Sequence, residues 1–323
     1  MSQAVPVEPV SRSAAPGYDP TIRLSSGIGR MELSVDRNRV PGALRSAARV
    51  LDLPGRGRIV VHDVPGPPDS PPLVLLHGAA MTAQLNWGGV IDTLRRRHRL
   101  VLWDLRRHGD GLRTGPFRLE DCADDVAAVA RALDLPQVTP VGYSMGGLVA
   151  QLVWRRHPDL VSGLVLCATS RQVTDGLWDQ SAALLMPGLA AAAMWLPADV
   201  VGADVIGSGL LDTDCDPGDR RWAMSEMRRT SLGDALAAMQ AVNQFSSHTW
   251  IGSVDVPSAV VVAEHDRVVP PRQQRDLARA IPGCATVEID GGHDVFLRAP
   301  GRFGAAVAAA CNAVHARTTS GVA

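Results

Sequence analysis

The strongest chemical signal in this chain is a serine between glycines: VTPVGYSMGGLVAQ, residues 138–151, sets Ser144 in the pattern Gly142-x-Ser144-x-Gly146. The apolar run before it reads as a strand and the run after it as a helix, so Ser144 falls on the corner between them. Glycines at such a corner let strand and helix cross closely around a strained turn, which throws the hydroxyl outward. The first amides of the following helix carry about half a positive charge towards any oxyanion formed there. The string by itself is weak: with 31 glycines among 323 residues, chance supplies it in roughly one such chain in five. Its position between strand and helix gives it weight.

A serine hydroxyl is a poor nucleophile at neutral pH and needs an imidazole to take its proton and a carboxylate to hold that imidazole. The partners are sought downstream, in the order Ser, Asp or Glu, His. His293, in IDGGHDVF, follows directly on the predicted strand 285–290, and Asp266, in VVVAEHDRVVPP, ends another. Both loops are expected at the same sheet edge as Ser144. His265 is a poorer base, because neighbours on an extended loop point apart and a base before its own acid breaks the order. Glu264 is the main rival to Asp266 as the acid, followed by Asp175. His77 and His108 lie beside glycines in other strand-end loops and read as structural. His62, His98, His157, His248 and His315 read as surface or satisfied core residues. For the oxyanion, the backbone amide of Met145 follows the nucleophile. A second donor, Ala79, is expected from LLHGAAMTAQLNW, residues 75–87, whose small residues let the loop fold back towards Ser144.

These side chains need a scaffold that brings strand ends together. From about residue 56 short Val, Leu and Ile runs appear: RIVVHDV (58–64), LVLLHG (73–78), RLVLWD (99–104), VTPVGY (138–143) and LVLCAT (164–169). GGVIDTLRRR and LEDCADDVAAVARALD between them carry helical patterns. This alternation predicts an α/β fold with a mostly parallel sheet and helices on both faces. The strand signal stops after Ser170 and resumes with SAVVVAEHD (258–266) and ATVEID (285–290). The interval 171–252, rich in Ala, Met and Trp, is expected to form an inserted helical lid over one edge of the core, which comprises 56–170 and 253–323. Residues 1–55 read as an N-terminal extension, Pro/Ser/Ala-rich and disordered over the first 20, with a short basic helix over 36–50.

Composition narrows the chemistry further. All 32 basic residues are arginine, which excludes a Schiff-base lysine and a Walker-type phosphate lysine. A formal net charge of -1 and no basic block argue against a nucleic-acid partner. Five cysteines without any CxxC suggest neither a disulfide framework nor a zinc cluster, and fit a reducing cytoplasm. The first residues do not read as a signal peptide. The nearest approach to a membrane span, residues 181–198, is broken by Pro187, Gly188 and Pro197, so stable membrane insertion is not expected.

Taken together, LVLLHG, WDLRRHGDG, VGYSMGG, AEHDRVVPP and GGHDVF resemble, in order and spacing, the α/β-hydrolase superfamily over about residues 56–315. The likeness is to its capped branch of esterases, lactonases, haloperoxidase-like enzymes and carbon-carbon hydrolases. By that resemblance Ser144 matches the nucleophile, Asp266 the acid, His293 the base, and Ala79 and Met145 the oxyanion donors. The chain departs from the family's DxRGxGxS at WDLRRHGDG, where Arg107 replaces the first glycine and Gly111 the serine, and Ala263 stands where glycine is common. Serine at the elbow argues against dehalogenases and epoxide hydrolases of this fold, which use aspartate there.

The resulting expectation is a serine hydrolase, with no metal or organic cofactor, acting on a small carboxylic ester or lactone with an apolar acyl part. Acyl transfer, perhydrolysis and carbon-carbon hydrolysis by the same triad remain alternatives, as does a non-catalytic binding module. Trp87, Met186 and Trp195 are candidate pocket residues, with Met194, Met224, Met227 and Met239 also on the lid. The lid has no Arg cluster, which disfavours a strongly anionic substrate.

Overall fold

The computed structural model describes residues 42–68, 71–172 and 216–320. Eight strands form one sheet: β1 (Ala48–Leu53), β2 (Gly57–Val64), β3 (Leu73–Leu76), β4 (Leu100–Leu102), β5 (Thr139–Tyr143), β6 (Leu164–Cys167), β7 (Ser258–Ala263) and β8 (Ala285–Ile289). Their order is β1-β2-β4-β3-β5-β6-β7-β8. The first two are antiparallel, β2 is antiparallel to β4, and every pair from β4 to β8 is parallel.

The central strands β3, β5, β6 and β7 are buried at every position, as apolar runs without alternation require. Their side chains nevertheless divide by the strand's two-residue period. Leu75, Tyr143, Cys167 and Val261 face a core holding Trp87 and Phe303. Leu76, Leu166 and Val262 face the opposite core, with Val129, Leu148 and Trp154. Two helices that cover this second face, Leu119–Ala132 and Met145–Arg156, pack against each other.

The structure corrects two local expectations. Of the stretch 36–50 read as a helix, the described part holds a short helix, Gly42–Ser46, and then β1, which starts at Ala48 inside the stretch taken for an extension. Gly55 and Gly57 adopt φ of +72° and +113°, a turn that returns β2 antiparallel on β1, with Leu53 opposite Gly57. Strand pairing thus captures residues whose local pattern favours a helix. In GGVIDTLRRR the single expected helix is a 3₁₀ turn, Gly88–Val90, then one α turn, Ile91–Leu94. The expected disordered residues 1–20 lie outside the described residues.

Of the interval read as a lid, the described part holds the helices Pro217–Met227 and Leu232–Gln244. Both start on side-chain caps: Asp216 accepts from the Gly218 and Asp219 amides, and Ser231 from that of Asp234. The interval leaves and rejoins the fold at one stem, where Gln172 pairs with Ser246 and the Ser247 amide donates to Arg171. Residues 181–198 are not among the described residues, none of whose helices is long and apolar enough to cross a membrane.

Candidate active site

Ser144 stands between β5 and the helix Met145–Arg156, at φ 52° and ψ -118°, a conformation unfavourable for any residue with a Cβ. Close backbone crossings hold it there. A Cβ on Gly142 would lie 2.2 Å from the Gly146 carbonyl oxygen, and one on Gly146 would lie 2.1 Å from that of Leu76. Neither crossing admits another residue without moving backbone. The Ser144 amide donates to the Cys167 carbonyl, and the Thr169 hydroxyl to that of Ser144, at 2.9 and 2.8 Å.

Because β5, β7 and β8 are parallel, their following loops open on one edge. There the Ser144 hydroxyl donates to His293 Nε2 at 3.1 Å, and His293 Nδ1 donates to Asp266 Oδ2 at 2.8 Å. The carboxylate can only accept, which sets this tautomer. Asp266 is fully engaged: Oδ1 accepts from the Val268 and Val269 amides, and Oδ2 from Gln274 as well as His293. The backbone carbonyl of His293 accepts from the Tyr143 hydroxyl at 2.6 Å. Burial holds that phenol's pKa well above its ordinary value, so it remains a donor.

The oxyanion segment lies beside the serine. A Cβ on Gly78 would meet Ser144 Cβ at 3.4 Å. The Gly78 amide is occupied by Asn86 Oδ1 at 2.9 Å, whereas the Ala79 and Met145 amides donate to no acceptor among the described residues. His77 fastens the base of this segment: its Nδ1 donates to the Gly78 carbonyl and its Nε2 accepts from the Leu105 amide, both at 2.8 Å. An imidazole with one donor and one acceptor bond is neutral, and burial lowers the pKa of His77 accordingly, against the pull of Asp104. His108, edge-on to His77 at 5.2 Å, is lowered to about 3 by burial and then by His77.

The rival residues point elsewhere. His265 is exposed and pairs with Asp290 at 3.2 Å, and the exposed Glu264 faces Arg275 at 3.9 Å. Asp175, Met186, Met194 and Trp195 fall outside the described residues. Trp87 requires a correction as a pocket candidate: it is fully buried in the core, stacked on Phe303 and edge-on to Tyr143. Its large apolar ring is taken up behind the sheet. Met224 and Met227 are likewise buried in that core, while Met239 is half-buried. Arg107 adopts φ +65°, so the loop keeps a left-handed turn without glycine at that position.

Sequence reasoning missed Tyr143, Gln274 and Asn86 as supports of the site. Each is an ordinary residue in its local pattern: Tyr143 acquires its role from His293, far along the chain, and Gln274 and Asn86 from backbone that folds back over eight residues to Asp266 and Gly78. The nearest signal was Tyr143's place beside the nucleophile.

The buried imidazoles make stability depend on pH. His98, stacked on His315 at 4.8 Å, is lowered to about 4 by burial, then by His315 and Arg97. The folded state therefore refuses protons that the unfolded state binds near pH 6.5. The contribution is intact above 6.5 and is lost as pH falls through the window to about 4 for His98 and about 3 for His108. Between pH 6.5 and 5 the fully buried His108 alone is expected to remove about 1.5 kcal/mol, and His98 less. Urea midpoints across this range check it; a flat profile would refute it.

Among the described residues no three His, Cys, Asp or Glu side chains are grouped as a metal ion requires. A parallel sheet with a serine on its elbow, bonded through imidazole to a carboxylate, defines a hydrolase scaffold. The model of the alpha/beta hydrolase fold matches residues 71–300, and the chain belongs to that family. It is 30% identical over 203 residues to a pimeloyl-(acyl-carrier protein) methyl ester esterase of Neisseria meningitidis serogroup C, covering 60% of this chain and 75% of that one. Its fold resembles that of a thermophilic esterase from Thermogutta terrifontis, with TM-score 0.71 and 24% identity over 83% of this chain and 99% of that one. It also resembles the enol-lactonase from Burkholderia xenovorans, with TM-score 0.63 and 22% identity over 82% and 100% of the two chains.

Proposed function

We propose that the protein is a serine hydrolase cleaving a small carboxylic ester or lactone with an apolar acyl part. The observation that carries this reading is the unbroken hydrogen-bonded line from Ser144 through His293 to Asp266, ending beside two amides with no other acceptor among the described residues.

In the proposed cycle Ser144 Oγ attacks the carbonyl carbon while His293 Nε2 takes its proton. The carbonyl oxygen becomes an oxyanion under the Ala79 and Met145 amides, and Asp266 stabilises the imidazolium. Collapse expels the alcohol, protonated by His293, and leaves an acyl-serine. Water, deprotonated by His293, then attacks that ester and releases the acid. Similarity to a methyl ester esterase and, in fold, to an enol-lactonase supports an ester-type bond. An acyl-enzyme of this kind can also be intercepted by an alcohol or by peroxide, and product partition among the three separates hydrolysis from transfer. Retention of all three triad members argues against a purely binding role. The interval 171–252 serves in this reading as the lid, with Met186 and Trp195 lining an apolar pocket. Among the described residues four cysteines are free, with thiols pushed up by burial to about 11 at Cys284 and about 12 at Cys311, which is compatible with a reducing cytoplasm.

Incubation with a fluorophosphonate is expected to add one phosphonyl group, located at Ser144 by peptide mass. A native chain that remains unmodified, while a control serine esterase is labelled, contradicts the proposal. A nitrophenyl ester series of rising acyl length then measures the pocket.

A further inference from the structure

The oxyanion segment is held from a second side, by a helix more than a hundred residues away in sequence. Thr82 starts the short helix Ala83–Trp87, its hydroxyl oxygen accepting from the Leu85 amide at 3.1 Å. The same hydroxyl donates to Glu226 Oε2 at 2.7 Å. Glu226, near the end of the helix Pro217–Met227, is 0% exposed, and its Oε2 also accepts from Arg229 at 2.9 Å. Arg229 in turn lies 3.7 Å from Asp104, and pairs with Asp110. Asp104 reaches back into the segment, its Oδ1 accepting from the Ala83 amide at 2.8 Å and its Oδ2 from that of Asp110. Burial favours neutral Asp104, but Arg229 and these amides outweigh it and hold the carboxyl below its ordinary range. Apolar burial runs alongside: Ala223, Met224 and Met227 belong to the same buried core as Ala80, Met81 and Ala83.

The short helix then transmits this hold to the site. Its first turn ties the Asn86 amide to the Thr82 carbonyl at 3.1 Å, and Asn86 Oδ1 takes the Gly78 amide. With the Gly78 amide occupied, the next amide, that of Ala79, is the one left for an oxyanion. Thr82 and Asn86 are therefore the two ends of one bracket behind the oxyanion loop.

The geometry points to Glu226 as a positioning residue that latches the helix Pro217–Met227 onto Thr82, so that docking of this helix sets the oxyanion-binding geometry around Ala79. Glu226 touches no reacting atom; it acts through Thr82, the short helix and Asn86. One carboxylate oxygen, Oε1, has no partner among the described residues, so a burial cost is accepted for the bond made by the other. The latch thus joins the interval read as a lid to the part of the core that stabilises the transition state. This inference rests on the proposed hydrolase reading.

Glu226→Ala, Glu226→Gln and Thr82→Val test it, with a nitrophenyl ester and a trifluoromethyl ketone that mimics the tetrahedral intermediate. A displacement of about 1 Å in a catalytic group costs up to about 100-fold, so Glu226→Ala and Thr82→Val are each expected to lower kcat 10- to 100-fold with KM within about twofold. The ketone Ki should rise by the same factor, because it reads oxyanion binding. Glu226→Gln keeps an amide oxygen for the Thr82 hydroxyl and should recover most of the turnover. Rates are taken per folded molecule, and Thr82→Val, nearly the same shape as the native residue, with Thr82→Ser as its rescue, carries the test if Glu226→Ala does not fold. An inactive wild type sinks the hydrolase reading and the latch with it. With an active wild type, the latch alone is overturned if Glu226→Ala and Thr82→Val keep kcat, or lose it without weakening ketone binding.

Discussion

Ser144→Ala is expected to lower turnover of a nitrophenyl ester by about five to six orders of magnitude, with the fold intact. The hydroxyl donates to His293 at 3.1 Å and fills no core position, so its loss removes the attacking atom and little packing. The strained backbone at φ 52° is unchanged by alanine. Glycine tolerates that conformation, so Ser144→Gly is expected to be equally inactive and about 1 kcal/mol more stable than Ser144→Ala. Initial rates and urea unfolding of the two variants check both parts. Turnover near wild type in either removes Ser144 from the chemistry, and with it the acyl-enzyme.

The second large effect is expected at Asp266→Asn, about 10⁴-fold in kcat with little change in structure. Asp266 Oδ1 accepts from the Val268 and Val269 amides, so an asparagine must turn its oxygen to that side. Its NH₂ then faces His293 Nδ1, and the donor of Gln274 as well. The imidazole is driven to carry its proton on Nε2, facing Ser144, and loses its capacity to accept from the hydroxyl. Stopped-flow acylation measures this, because the defect lies in the first proton transfer. A variant that acylates within tenfold of wild type contradicts the assignment of Asp266 as the acid.

The reach and the limit of the sequence show in particular elements. β3, β5, β6 and β7 are legible because a strand buried on both faces needs an unbroken apolar run, and few other elements tolerate one. β1 is not, because an edge strand half open to water has a mixed pattern and owes its conformation to pairing with β2. Trp87 shows the same limit in a side chain: an aromatic residue near a site-forming loop suits a pocket or a core equally, and stacking on Phe303 puts it in the core.

By itself the sequence determined the order of strand and helix, the glycines that permit the elbow at Ser144, and the presence of an imidazole and a carboxylate after later strands. These follow from local sterics and periodicity, which act between near neighbours. The sequence preferred His293 and Asp266 to His265 and Glu264, but only the tertiary structure shows His293 against Ser144 with Asp266 behind it. It likewise recruited Tyr143 and Glu226 from far along the chain, and folded Gln274 and Asn86 back onto partners eight residues away. Hydrogen bonds of about 3 Å between residues a hundred or more positions apart depend on strand register and helix packing, which no local pattern encodes.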